Sequence, residues 1–356
     1  MTLIFGIETS CDETAAAVVE ATADGKLHVR ANIVASQVEM HRKYGGVFPE
    51  VAARMHIETI HAVAREALAA AAVQPAALSA IAVTQGPGLA GSLLVGVNFA
   101  KGLALAWEKP LIGVNHLEGH LYSLWLSEHA DSLRFPAVCL LISGGHTELL
   151  LVRAHRDYAL LGSTLDDAVG EAFDKVARVL GLGYPGGPAI ERAARDGDPS
   201  AYAFARADLG DERPYAFSFS GIKTAVMRAV QPQPAYGKRV RGEESLREGN
   251  LRPDVNVADA AASFQAAAVE MLIAPTLRAA ESYNATAIWL AGGVSANAYL
   301  RQQLSARTQL PVYAPPLPLC TDNAAMIAAA GYFRYAAGQR DSLALDVLPM
   351  LPLVSA

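Results

Sequence analysis

Gly6-Ile7-Glu8-Thr9-Ser10-Cys11-Asp12-Glu13-Thr14 is the stretch that decides the fold. An apolar run over 3–8 enters it and a second, Ala15 to Val19, leaves it. The stretch therefore reads as a tight polar turn between two strands. The same arrangement returns near residue 145. Phe135 to Ile142 is an apolar run, Ser143-Gly144-Gly145-His146-Thr147 is a turn, and Glu148 to Val152 is a returning strand. A strand–turn–strand unit that occurs twice points to a duplicated domain. Around the first copy, 27–36 reads as a third strand, 50–73 as a long alanine-rich helix, and 78–84 as a strand running into Gly86-Pro87-Gly88. Residues 90–107 read as a helix packed closely through Gly91 and Gly96. A third glycine-rich turn, Ala291-Gly292-Gly293-Val294-Ser295-Ala296-Asn297, joins the strand Ala287-Ile288-Trp289-Leu290 to a helix. Strands alternating with helices predict an α/β architecture. The expected lobes are 1–133 and 134–322, with helices of about 323–345 packing back on the first.

The chain has 356 residues, 52% hydrophobic and 18% charged, a composition suited to two packed domains. No apolar stretch reads as approaching the roughly 20 residues that span a bilayer. The start, Met1 to Gly6, has no basic segment, so no signal peptide is expected. Cys11, Cys139 and Cys320 are odd in number and scattered, which suits free thiols in a reducing cytoplasm. The net charge of −6 means that an RNA partner would need a local basic patch or a partner protein. Residues 231–250 hold Pro232 and Pro234, then Lys238, Arg239 and Arg241 among Glu243, Glu244 and Glu248; they read as a polar surface insertion.

Chemistry gathers at Asn115-His116-Leu117-Glu118-Gly119-His120. On a helix, positions i and i+4 share a face, so His116 and His120 can offer two imidazoles to one ion. Asp322, at a loop-to-helix start, is a candidate third ligand, although an aspartate there also suits an N-cap. Two histidines and a carboxylate with open positions suit Fe(II) or Zn(II). In the zinc-peptidase pattern the base glutamate directly follows the first histidine. Here Leu117 stands there, and Glu118 is turned about 100° away. Ser143, Gly144 and Gly145 form a candidate anion nest, and Gly292, Gly293 and Asn297 a second at a helix start. Asp12 and Glu13 would repel a phosphate. They suit a general base, outer-shell groups to a metal, substrate acceptors, or a solvated turn. Asp167, Glu171 and Asp174 form one polar face at a helix start near Asp166, and Tyr184-Pro185-Gly186-Gly187-Pro188 is a rigid loop.

Taken together, these stretches resemble the universal tRNA threonylcarbamoyladenosine transferases, in the bacterial form once called glycoprotease. The resemblance runs over about 3–335 and includes Gly170-Glu171-Ala172-Phe173-Asp174-Lys175 and Phe217-Ser218-Phe219-Ser220-Gly221-Ile222-Lys223-Thr224. It implies two duplicated ribonuclease-H-like lobes of the actin, Hsp70 and sugar-kinase group around a central nucleotide cleft. It implies a metal, thought to be iron, at His116, His120 and Asp322. It implies an adenylate held by Leu141, Ile142, Ser143, Gly144, Gly145, Asp174, Gly187 and Asn297, with Glu191 within reach of a ribose. Archaeal relatives carry a tyrosine at the position of Leu141, which joins the metal shell; here substrate or water would fill that place. The implied reaction moves threonylcarbamoyl from threonylcarbamoyl-AMP to the N6 amine of the adenosine 3′ of the anticodon, with ATP or ADP as further nucleotides. Asp12 and Glu13 are the candidate catalytic pair. The implied partners are tRNA, a shorter degenerate paralogue and a small P-loop ATPase, with no membrane. An actin-fold small-molecule kinase, the non-catalytic paralogue itself and a metallopeptidase are the competing readings. The histidine pair speaks against the first two, and the displaced Glu118 against the third.

Overall fold

The computed structural model describes residues 1–206, 209–232 and 249–354. Most of the insertion expected at 231–250 lies outside the described residues. The chain divides into two compact units, Met1–Leu133 with Tyr313–Ala356, and Arg134–Val312. The second unit thus ends at Val312, before the boundary of 322 read from the sequence, and Asp322 lies in the first unit.

In the first unit, β1 (Thr2–Glu8), β2 (Glu13–Ala21), β3 (Leu27–Ser36), β4 (Ala80–Gly86) and β5 (Leu111–Asn115) form one sheet in the order β3-β2-β1-β4-β5. The first three strands are antiparallel; β4 and β5 run parallel to β1. Between β3 and β4 lie the short α1 (Val38–Arg42) and the long α2 (Pro49–Ala71); α3 (Ala90–Trp107) and α4 (His116–Tyr122) flank β5. Alternation along β1 sends Leu3, Phe5 and Ile7 into one core with Ile60, Val63 and Ala67 of α2 and Val97 and Ala100 of α3. Burying each large side chain contributes about 1.5–3 kcal/mol. Pro49 opens α2, and Ala72 ends it in the left-handed conformation at φ 53°. Asn115 accepts hydrogen bonds from the Leu117 and Glu118 amides and so starts α4 at the sheet's end.

The second unit repeats the plan. β6 (Ala137–Ile142), β7 (Thr147–Ala154), β8 (Asp157–Ser163), β9 (Ala287–Ala291) and β10 (Val312–Tyr313) stand in the order β10-β9-β6-β7-β8. β6 pairs antiparallel with β7 and parallel with β9, as β1 does with β2 and β4. The helices are α5 (Val169–Val179), α6 (Gly186–Ala193), α7 (Ser220–Val230), α8 (Val257–Ser282) and α9 (Ala298–Ala306). Phe173 of α5 meets Phe264 of α8 edge to face at 5.0 Å, and Trp289 is fully buried in β9.

The chain then returns to the first unit as α10 (Ala324–Ala336), which covers the sheet face opposite α2 and α3. Contact is close: a Cβ added to Gly6 would lie 2.3 Å from the Ala324 carbonyl oxygen, and one on Gly331 2.4 Å from Ala82 Cβ. The helix stops at Ala336, so the expectation of helix to about 345 is corrected; Gly338 takes φ 86° there. The tail beyond runs along β4 and β5. Asp341 accepts from the Gly113 amide, the Leu348 amide donates to the Gln85 carbonyl, and the Asn115 side chain donates to Pro352.

α3 and α8 are each long and apolar enough to cross a membrane by length and mean hydropathy. Neither is an uninterrupted apolar run, because α3 holds Asn98 and Lys101, and α8 holds Asp259 and Glu270. α3 packs against β4 and α2, while α8 packs against β6 and α6, so the apolar content of both serves the two cores.

Two copies of one five-stranded order, antiparallel then parallel, make the doubled ribonuclease-H-like arrangement of the actin-like proteins.

Candidate functional site

His116, His120 and Asp322 lie together in the first unit. One ligand atom from each sits within 4.8 Å of the other two. α4 stacks the two imidazoles on one face, and α10 brings in Asp322 from the loop that precedes it. Asp322 Oδ1 is 3.5 Å from His116 Nε2 and 3.2 Å from His120 Nε2. Asp322 is not the N-cap of α10. Asn323 takes that place, accepting from the Met326 amide.

The second ring nitrogen of His116 is fixed. Its Nδ1 lies 3.0 Å from Glu8 Oε2 and 3.1 Å from Ser10 Oγ. Glu8 closes the apolar strand β1 and is fully buried, held by the Ser10 amide and the Thr84 hydroxyl. Burial works against both charges, but the pair offsets it. His116 is carried up to about 9, through Asp322 and Glu8, and Glu8 is held below the usual carboxylate value by His116. A carboxylate behind a histidine is the usual support for a metal-binding imidazole. His120 is fully buried; its Nδ1 has no hydrogen-bond partner, and its Nε2 faces Asp322 Oδ1 at 3.2 Å. Burial, and then the neighbouring His116, pushes its value down. A buried polar group left unpaired costs about 1–3 kcal/mol. Two imidazole nitrogens and a carboxylate oxygen converge within 4.8 Å of one another, a donor set that fits a divalent metal. Glu118 takes no part, since its carboxylate is bound by Arg334 Nε.

Asp12 and Glu13 form an acidic turn in the same unit. The Glu13 carboxyl accepts from the Ser36 hydroxyl at 3.2 Å. Burial, then the charges of Asp322 and Asp12, raises Glu13 to about 10. The turn's backbone is clamped from below: His56 Nε2 donates to the Cys11 carbonyl at 3.0 Å, and the Gln37 amide donates to the Asp12 carbonyl at 3.0 Å.

The second unit places Ser143, Gly144 and Gly145 directly after β6, and Gly292 directly after its parallel neighbour β9. The carboxyl ends of adjacent parallel strands are where ligands of open α/β sheets bind. Gly292 has φ 87°, and a Cβ there would sit 2.4 Å from the Ile142 carbonyl oxygen, so the two turns touch. A Cβ on Gly144, Gly145 or Gly187 would meet nothing within 4 Å, which leaves those backbones open to a ligand. Leu141 and Ile142 are fully buried, so they present backbone only. Asp174 accepts from the Gly186 amide at 2.7 Å. Asn297 is largely committed to the protein: its oxygen caps α9 at Leu300, and its Nδ2 donates to Gln265 Oε1. Glu191 accepts from the Ala298 amide, another helix-start contact.

The acidic helix face expected at Asp167, Glu171 and Asp174 is largely spent. α5 begins only at Val169; Lys175 pairs with Asp167 and Glu171, and Lys223 also reaches Asp167. Asp166 instead binds the start of α7 through Ser218, Phe219 and Ser220. Glu8 is the site residue that the sequence reading passed over. Its signal was a carboxylate at the end of an otherwise apolar strand.

Fold and site define an actin-like α/β protein with a histidine–carboxylate triad in one unit and, in the other, two glycine turns that touch each other. Solved structures bear out the fold. HypF from T. kodakarensis matches with a TM-score of 0.59 at 15% identity, over 95% of this chain and 48% of that one. Component A of (R)-2-hydroxyglutaryl-CoA dehydratase from Acidaminococcus fermentans matches at 0.51 and 13%, over 95% and 100%. The chain belongs to the tRNA N6-adenosine threonylcarbamoyltransferase family, whose pattern matches residues 28–329. A relative of that description in Thermomicrobium roseum is 55% identical over 99% of this chain and 97% of its own length. One in Dehalococcoides mccartyi is 50% identical over 99% of both. The protein is accordingly a transferase of the tRNA threonylcarbamoyladenosine modification.

Proposed function

We propose that the donor is threonylcarbamoyl-AMP, that the acceptor is the adenosine 3′ of the anticodon in tRNAs reading ANN codons, and that the first unit holds the reacting groups. The observation that carries this reading is the triad of buried His116 and His120 with half-buried Asp322, with Asp12 and Glu13 in electrostatic reach of Asp322. A divalent ion, iron or zinc, held by the triad supplies Lewis-acid polarisation of donor oxygens when bound. Glu8 fixes the His116 ring so that Nε2 faces that ion.

The adenosine amine is a poor nucleophile, because its lone pair is delocalised into the ring. Its nitrogen attacks the carbamoyl carbonyl carbon; the new C–N bond forms, the C–O bond to phosphate breaks, and AMP leaves with that electron pair. Asp12 takes the N6 proton, and Glu13, whose neutral form burial favours, stands beside it to orient the substrate. In the second unit, the open backbone at Gly144, Gly145 and Gly187 suits the adenylate phosphate, with Ser143 closing the turn through its amide to the His146 carbonyl, and Asp174 with the remaining Asn297 N–H suits the ribose. Exposed Ile57 of α2 and Leu94 and Leu105 of α3 offer an apolar face to the shorter paralogue, with the P-loop ATPase as a further partner in the cytoplasm.

The test supplies preformed threonylcarbamoyl-AMP to Asp12→Asn and Glu13→Gln. Asp12→Asn is expected to lose about 100- to 10,000-fold in tRNA modification while metal content and nucleotide affinity stay unchanged. Full transfer by Asp12→Asn would remove it as the base.

A further inference from the structure

We infer that Tyr44 and Phe48 form a stacking platform for unpaired bases of the RNA substrate, placed next to the acidic turn. The inference rests on the reading above that Asp12 faces the acceptor adenosine. The N6 amine lies on the Watson–Crick edge, so only an unpaired adenosine can react. A base lifted out of its helix gives up stacking, which an aromatic side chain can return.

In the first unit, Tyr44 and Phe48 are the only phenylalanine, tyrosine or tryptophan rings, among the described residues, more than a third exposed, at 56% and 47%. Their centroids lie 5.6 Å apart with planes tilted by 31°, so the pair presents one broad apolar face. Rings left in water at a bend just before α2 add nothing to the core. Arg42 and Lys43 precede Tyr44, with Arg42 paired to Glu39 and Lys43 in no ion pair among the described residues. Lys43 beside exposed rings suits a ribose–phosphate chain rather than an apolar protein surface.

The platform is tied to the acidic turn by buried groups that the mechanism does not otherwise use. The Phe48 amide donates to His41 Nδ1, and His41 Nε2 then donates to Gln37 Oε1. Gln37 Nε2 donates to His56 Nδ1, and its amide holds the Asp12 carbonyl. His56 Nε2 closes the chain on the Cys11 carbonyl. Each imidazole donates from Nε2 and accepts at Nδ1, so the run is satisfied in a single direction. His41, His56 and Gln37 are all buried. The loop carrying the rings and the turn carrying Asp12 are therefore held in one fixed relation.

The test uses the full chain at low ionic strength and an anticodon hairpin with 2-aminopurine in place of the acceptor adenosine or its neighbour. Stacking on a ring quenches the fluorescence of that base. The wild-type chain is expected to quench it. Tyr44→Ala and Phe48→Ala should each raise the hairpin Kd about 5- to 150-fold and relieve the quenching, while Tyr44→Phe keeps both. Both rings are exposed, so equal melting temperatures confirm intact folding. Unchanged Kd and quenching in Tyr44→Ala/Phe48→Ala would overturn the inference. So would absence of quenching by the wild-type chain, or loss of binding to a protein partner with hairpin binding intact. Hairpin binding involves no turnover, so full transfer by Asp12→Asn would unseat the base assignment and leave the platform to be decided by fluorescence alone.

Discussion

The two units share a strand order and a turn position but fill the turn with opposite chemistry. After β1 the chain carries Glu8, Asp12 and Glu13; after the equivalent β6 it carries Ser143, Gly144 and Gly145 with no carboxylate. The first turn gathers charge, buries it, and places it beside a histidine triad. The second leaves bare amides where an added side chain would meet nothing. The duplicated frame sets where a ligand meets the sheet, and the few residues at the strand ends decide which ligand.

The sharpest way to break that contrast is to take a triad member away. Asp322→Ala should drop metal content from about one ion per chain toward none and lower tRNA modification by about 1,000-fold or more, since a bound ion stabilises developing charge by several kcal/mol. Elemental analysis beside an assay of modified tRNA checks both. Equal metal in the variant and the parent would move the site elsewhere. Glu8→Gln tests the layer behind the triad: it keeps the shape and removes the charge on His116 Nδ1, so metal affinity should fall about 10- to 100-fold. A chelator titration reads this, and unchanged affinity would reduce Glu8 to a packing role.

The second turn predicts smaller and separable effects. Gly145→Val fits without a clash, so the fold should stand while adenine-nucleotide affinity falls about tenfold or more, about 1.4 kcal/mol, by calorimetry. Gly292→Ala strains a backbone at φ 87° against the Ile142 carbonyl and should cost about 1–3 kcal/mol in a denaturant melt. If Gly145→Val also lost metal, the two turns would not be chemically independent.

The sequence carried most of this contrast, because strand ends punctuated by polar or glycine turns are local signals. Apolar runs placed β1, β2, β6, β7 and β9 within a few residues. β8 escaped because its face is only half-buried and gives no clean alternation. α8 escaped although it is the longest helix described, because its alanines bury it nearly all round and leave no amphipathic stripe. At the site, His116, His120 and Asp322 were legible as residue types with ligand chemistry. Glu8, His41 and His56 were not, because what marks them is complete burial with specific partners, and burial belongs to the packed chain. The spent carboxylates of Asp166, Asp167 and Glu171 make the complementary point: acid at a helix start is as easily consumed by a nearby lysine or amide as offered to a ligand.

The first unit is completed only by the return of the chain through α10. During synthesis, His116 and His120 emerge early, while Asp322 and the helix that seats it follow the whole second unit. A ribosome that stalls or terminates within Arg134–Val312 releases a product with half a metal site, an uncovered sheet face at Gly6 and no β4–β5 tail. Such a fragment cannot hold the ion in the intended geometry, and it exposes apolar surface for quality control to recognise. Order of synthesis thus gates metal loading: Asp322 can join His116 and His120 only after the whole second unit has been translated.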